Sequence, residues 1–246
     1  RVEASGGKPE DVCPVTDFSG GSWNREGTII FGSPQGVFRV AAEGGKPELI
    51  TALDASESGH FWPHFLPDGQ HYLYTSWGQP GARAIYVGTL GSKDKKRVLD
   101  AESNAAYAAP GYLLFHRDKA VYAQAFDAKT LTLSGEPARL ADDVTYDGGN
   151  GQGNFSSSLD GALAYFQNPA AAGGSAQSDL AEWHLAWVGR AGATIDTPGP
   201  PGIYRGVEVS PADPKRIAVH KHEKTGGDIW IVEPTGAETR LTWDAS

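Results

Sequence analysis

The stretch Gly59–Ser76, GHFWPHFLPDGQHYLYTS, crowds histidine, tryptophan and phenylalanine against a Leu-Pro-Asp-Gly turn and an alternating Tyr-Leu-Tyr run. It reads either as a metal or catalytic site or as one copy of a repeated structural unit, and the rest of the chain decides between them. The turn leads into an apolar strand over His71–Ser76, a variable tip, a strand ending Ile85-Tyr86-Val87-Gly88-Thr89-Leu90, and a short last strand, Lys96-Arg97-Val98-Leu99. The same order occurs before it, in Arg25-Glu26-Gly27, Thr28-Ile29-Ile30-Phe31, Val37-Phe38-Arg39-Val40 and Glu48-Leu49-Ile50. It occurs after it, in Ala109-Pro110-Gly111, Tyr112-Leu113-Leu114-Phe115, Val121–Phe126 and Ala138-Arg139-Leu140.

A fourth copy runs through Leu159-Asp160-Gly161, Ala162–Phe166 and His184–Val188. A fifth runs through Ser210–Asp213, Arg216–Val219, Asp228–Val232 and Thr239–Thr242. The turn dipeptides at 26–27, 68–69, 110–111 and 160–161 are 42, 42 and 50 residues apart. Four strands per repeat at such a period, with apolar and polar residues alternating, is the pattern of propeller blades. The predicted fold is all-β: a β-propeller of four-stranded antiparallel blades over residues 17–58, 59–103, 104–148, 149–202 and 203–246. Residues 1–16 are expected to supply the outer strands of a partial blade, because Arg1–Glu10 (RVEASGGKPE) repeats Arg39–Glu48 (RVAAEGGKPE). That makes five full blades plus half of another, and six is the expected total in the parent. The opening Arg1 and the lack of methionine read as a segment of a longer protein. Unfilled blade edges predict a dimer through strand pairing.

Composition narrows the function. The net charge of −9 argues against nucleic acid, which calls for a basic face. No apolar run approaches the roughly 20 residues of a membrane helix. Lys93–Arg97 (KDKKR) reads as a solvated hairpin tip, and the lone Cys13 as a half-buried strand residue without a disulfide partner. Asn168–Leu180, rich in Ala, Gly and Ser, reads as a long mobile hairpin loop.

Three stretches hold residue types that could carry chemistry. On an extended strand, His60 and His64 share a face but lie about 13 Å apart, with His71 beyond the turn, which is a poor zinc geometry. His220 and His222 alternate onto one face about 7 Å apart, but lack a third ligand nearby and read as a solvated strand end. The Gly148–Gly153 stretch beside Asp142, Asp143 and Asp147 lacks the phosphate-loop lysine and the ordered calcium-loop spacing. No metal, cofactor or catalytic residue is predicted. Aligning the blades on their turns brings His60, Trp62, Asn104, Asn154, Tyr204 and Arg205 to one level of the inner strands. That mixed aromatic and polar ring is the predicted channel-mouth binding site for a protein, peptide or small molecule. The acids nearest it, Glu102 and Glu208, are too few for carboxylate-pair hydrolysis.

The Pro-Asp-Gly turn at 67–69, Asp228–Glu233 (DIWIVE) and Glu238–Trp243 (ETRLTW) resemble the TolB-like family of WD-type β-propellers. Gly20–Gly27 (GGSWNREG), Phe65–Gly69 (FLPDG) and Ser103–Phe115 (SNAAYAAPGYLLF) are similar to one bacterial group within it. There the propeller follows a membrane-anchored serine/threonine kinase, so the resemblance implies a non-catalytic sensor or protein-binding domain in the periplasm or outside the cell. Such propellers also accompany prolyl-oligopeptidase-like peptidases. A peptidase propeller and a carbohydrate-active propeller enzyme are therefore the alternative readings.

Overall fold

The computed structural model describes residues 1–3, 8–149, 151–158, 162–167, 183–188, 194–210, 213, 215–223 and 226–243. Every regular element among them is a β-strand, and every pairing is antiparallel. The chain forms two compact units, Asp11–Asn154 and a second made of Arg1–Glu10 with Phe155–Ser246.

In the unit Asp11–Asn154 the strands follow the turn spacing. A first meander holds β1 (Gly21–Trp23), β2 (Thr28–Ser33), β3 (Gly36–Ala41) and β4 (Glu48–Leu49). A second holds β5 (Glu57–Phe65), β6 (His71–Gly78), β7 (Ala84–Thr89) and β8 (Lys95–Leu99). One bridge, Ser33 to His60, joins β2 to β5. The third meander is β9 (Ala105–Ala108), β10 (Tyr112–Arg117), β11 (Ala120–Asp127) and β12 (Thr132–Asp142), followed by the short pair β13 (Tyr146–Asp147) and β14 (Gln152–Gly153).

Each meander turns between its first two strands in the same way. The amides of Gly27, Gly69 and Gly111 donate to the carbonyls of Asn24, Leu66 and Ala108, three residues back. Asp68 tightens its turn by accepting the amides of Gln70 and His71 on Oδ1. Gly69 has a φ of +67°, in the region that favours glycine. Successive turns are also tied together, since Asn24 Nδ2 donates to the Gly69 carbonyl at 2.9 Å and Asn24 Oδ1 accepts the Thr28 amide at 2.8 Å.

The core lies between successive meanders. Ile30, Val37 and Ile50 pack on Phe65, Tyr72 and Tyr74. On the other side of the second meander, Leu73, Ile85 and Leu99 pack on Leu113, Phe115 and Phe126. Because side chains alternate across a strand, one strand contributes to both interfaces, and burying each large side chain contributes about 1.5–3 kcal/mol. The basic run 93–97 is not a free tip. Lys95–Leu99 is β8, and Lys95 Nζ lies 2.8 Å from Asp54 and 2.9 Å from the buried Glu57.

In the second unit, β15 (Phe155–Ser157) pairs with β16 (Leu163–Tyr165), and β17 (Trp187–Val188) pairs with β18 (Thr194–Asp196). β19 (Ile203–Val209), β20 (Ile217–Glu223), β21 (Gly226–Val232) and β22 (Glu238–Arg240) form a four-stranded meander. Phe166, Tyr204, Val209, Ile217, Val219 and Val232 make its core. Arg1 and Glu10 pair through their backbones, and Arg1 Nε lies 3.0 Å from a Glu10 carboxylate oxygen. Arg39 and Glu48 make the equivalent ion pair at 2.8 Å, which is the structural counterpart of the repeated decapeptide. The expected turn Leu159–Gly161, the loop Asn168–Leu180 and Pro211-Ala212 lie outside the described residues.

Candidate functional site

The inner strand β5 carries His60, Trp62 and His64, and their environments differ sharply. His60 is completely buried, with Nδ1 2.7 Å from Thr51 Oγ1 and Nε2 3.2 Å from Glu57 Oε2. An ionised carboxylate only accepts, so Nε2–H donates to Glu57 and Nδ1 accepts the Thr51 hydroxyl hydrogen. Glu57 Oε1 also accepts from Ser76 Oγ and Lys95 Nζ, and Oε2 accepts from the Asp54 amide. Burial pushes the Glu57 carboxyl up, but the Asp54 amide, Lys95 and Ser76 outweigh it and bring it down to about 2. Burial holds His60 below its ordinary value against the opposing pull of Glu57.

Threonine, imidazole and carboxylate thus follow the hydrogen-bond order of a nucleophile–base–acid relay. Yet Thr51 is only 7% exposed, and its oxygen already accepts the Val37 amide at 2.8 Å. The cluster joins the loop after β4 to β5, β6 and β8, and every member is satisfied within the protein. Sequence reasoning singled out His60 but missed Thr51, Glu57, Ser76 and Lys95. The only local hint is that Glu57 precedes His60 by three residues.

Trp62 is half-buried and has a φ of +54°, an unusual conformation for a bulky residue. A register shift between Phe61 and His64 releases β5 from regular pairing, and the Trp62 amide donates instead to the Ser19 carbonyl at 2.8 Å. The indole lies against Gly20, where a Cβ would come within 2.4 Å of Cε3. His64 is partly accessible but enclosed, and burial lowers its pKa to about 4.

Asn104 and Asn154 come together through the Gly151–Gly153 stretch. Asn104 Oδ1 accepts the Gly153 amide at 2.7 Å, and Asn154 Nδ2 donates to Thr145 Oγ1 at 2.9 Å. Both are half-buried. Beside them the Tyr146 hydroxyl donates to the Glu102 carbonyl, Arg83 lies 3.6 Å from the Glu102 carboxylate, and the Arg83 guanidinium stacks 4.0 Å over Trp77.

The other two predicted residues belong to the second unit. Tyr204 is 2% exposed, and its hydroxyl donates to Pro200 O at 2.8 Å, with Glu238 Oε1 3.1 Å away. Burial and then Glu238 raise its pKa. Arg205 is exposed at a register shift of β19. On the same strand Glu208 is accessible to water yet closely enclosed, and it accepts a 2.5 Å hydrogen bond from Ser156 Oγ. Enclosure raises its pKa, and the Ser156 hydrogen bond opposes the rise. Among the described residues no three His, Cys, Asp or Glu side chains converge as metal ligands, and no helix is long and apolar enough to cross a membrane.

The sequence matches no protein-family model and no curated protein. Solved structures do match. TolB from Acinetobacter baumannii is 19% identical with a TM-score of 0.61, over 88% of this chain and 52% of that one. Puromycin hydrolase is 14% identical with a TM-score of 0.60, over 97% of this chain and 40% of that one. A gluconolactonase from Xanthomonas campestris is 12% identical with a TM-score of 0.61, over 88% and 71%. The chain therefore spans about half the length of TolB and less than half of the hydrolase. At these identities the likeness concerns the fold alone, and the fold of this chain is a β-propeller.

Proposed function

We propose that the chain is a non-catalytic binding propeller, a sensor or scaffold domain whose inner-strand rim takes a protein, peptide or small-molecule ligand. The observation that carries this reading is the division of labour along β5. Two groups capable of proton transfer, His60 and Glu57, are sealed together inside the protein. Trp62 is instead held by a distorted backbone with part of its ring accessible. A partly accessible aromatic side chain held in a fixed backbone is the kind of anchor that recognition uses. We assign the domain to the extracytoplasmic part of a bacterial serine/threonine kinase. The similarity of residues 20–27, 65–69 and 103–115 to that group supports the assignment.

A thermal-shift screen of the chain against peptides and small molecules tests the reading. Ligands that raise the melting temperature of the wild type are expected to lose most of that shift in Trp62→Ala. Hydrolysis of a lactone, an aminoacyl arylamide or an arabinan that disappears in Glu208→Gln would instead establish an enzyme.

A second reading, a propeller attached to a hydrolase domain, is favoured by one fact. Puromycin hydrolase matches 97% of this chain with only 40% of its own length. A serine hydrolase domain encoded beside this segment in the parent gene would decide for it.

A further inference from the structure

We propose that His220 and His222 form a two-imidazole site for a divalent transition-metal cation of the zinc, nickel or copper class. Both lie on β20, and their even spacing puts them on one face of the sheet. The register then supplies a notch. Each histidine has a glycine on one side and an isoleucine on the other: His222 is paired with Gly227 of β21 and Ile203 of β19, and His220 with Gly206 of β19 and Ile229 of β21.

The rings use that space. A Cβ on Gly227 would come within 2.2 Å of His220 Nε2 and 3.0 Å of His222 Nδ1, so both nitrogens reach the same notch. The rings are 6.2 Å apart by centroid and nearly perpendicular. His222 Nδ1 is buried and has no hydrogen-bond partner among the described residues, an arrangement that leaves a donor atom unsatisfied.

Among the described residues, three charged side chains neighbour the two histidines in the sheet: Lys221, Asp228 and Arg205. Lys221 projects to the opposite face, where it is held 2.6 Å from Glu238. Asp228 is committed to Arg240 and Thr242. Arg205 is the cation that bears on His220. Burial, and then the neighbouring His222 and Arg205, keep His220 below its ordinary pKa, with Asp228 opposing. A metal ligand must present a neutral imidazole, the form an ordinary histidine mostly takes near pH 7. Imidazole donors suit zinc, nickel and copper rather than calcium or magnesium. With two protein ligands, the remaining positions fall to water or to donor atoms of an incoming molecule.

Calorimetric titration of the full chain with Ni²⁺ near neutral pH tests the site. The wild type is expected to bind one ion, and His220→Ala and His222→Ala are each expected to bind at least about tenfold more weakly. Gly227→Ala, folded by circular dichroism, is expected to lose the ion because its methyl group fills the notch. If that variant fails to fold, the two histidine variants decide alone. His71→Ala, which removes a histidine elsewhere, should bind as the wild type does. A wild type that binds no ion, a His220→Ala/His222→Ala double variant that still binds, or equal loss in His71→Ala would overturn the assignment. Cu²⁺ bound to the wild type should show coupling to two nitrogens by electron paramagnetic resonance, and coupling to fewer would also overturn it.

Discussion

The Thr51 hydroxyl lies 2.7 Å from Nδ1 of His60, and the same oxygen accepts the Val37 amide at 2.8 Å. One side chain thus satisfies buried polar groups on two successive meanders. Thr51→Val keeps the shape but leaves the Val37 amide and His60 Nδ1 without partners, and should cost about 2–4 kcal/mol. Thr51→Ser keeps the oxygen and should stay within about 1 kcal/mol of the wild type. Urea denaturation of both variants checks the difference, and equal losses would show that packing rather than the hydroxyl matters.

Stability should fall as the solution is acidified, in two steps. His60 and His64 have lowered pKa values, the latter to about 4 against an ordinary 6.5. Below pH 6.5 the unfolded chain takes up protons that the folded chain refuses, so stability is lost from there down to about pH 4. Glu57 adds a second loss between its ordinary 4.5 and about 2, worth roughly 3 kcal/mol once complete. Denaturant midpoints measured along a pH series should show both steps. Glu57→Gln should flatten the lower one.

Gly32 on β2 is closed in by backbone. An added Cβ would meet Phe61 Cα at 2.7 Å, Ser19 O at 2.7 Å and His60 O at 2.8 Å. None of these atoms can swing aside, so Gly32→Ala should destabilise the protein by about 3 kcal/mol or more. Gly91→Ala makes a useful contrast. No atom lies near that Cβ, although its φ of +80° carries a backbone penalty of about 1 kcal/mol. Melting temperatures of the two variants should rank in that order.

Glu208→Gln should be stabilising at neutral pH and neutral in acid. Enclosure raises the Glu208 pKa, so the folded chain binds this proton more tightly than the unfolded chain does. The stabilising protonated form is then lost as pH rises through the folded value. An amide keeps a hydrogen-bonding oxygen for Ser156 Oγ and brings no charge beside it. Denaturation at about pH 8 and about pH 4 should show a gain that shrinks on acidification. A loss at the higher pH would mean that the carboxylate is stabilised by a partner cation.

The strand order was open to reading in the sequence because it rests on local physics. Glycine at 27, 69 and 111 closes three equivalent turns, and alternating apolar residues mark the strands on either side. Even the likeness of Arg1–Glu10 to Arg39–Glu48 has its counterpart in two equivalent ion pairs. The fate of individual polar side chains was not open in the same way. His60 and Trp62 lie two residues apart on one strand, yet one is sealed and the other partly accessible. That difference depends on Thr51, Ser76 and Lys95, which are brought to Glu57 and His60 from other strands and loops, and on the irregular register after Phe61. Likewise, only the register of β20 against β21 places Gly227 beneath two histidines that look like a solvated strand end in sequence. Period and turn chemistry act over a few residues and are written along the chain, whereas burial and partner choice depend on which strands and sheets come to face each other.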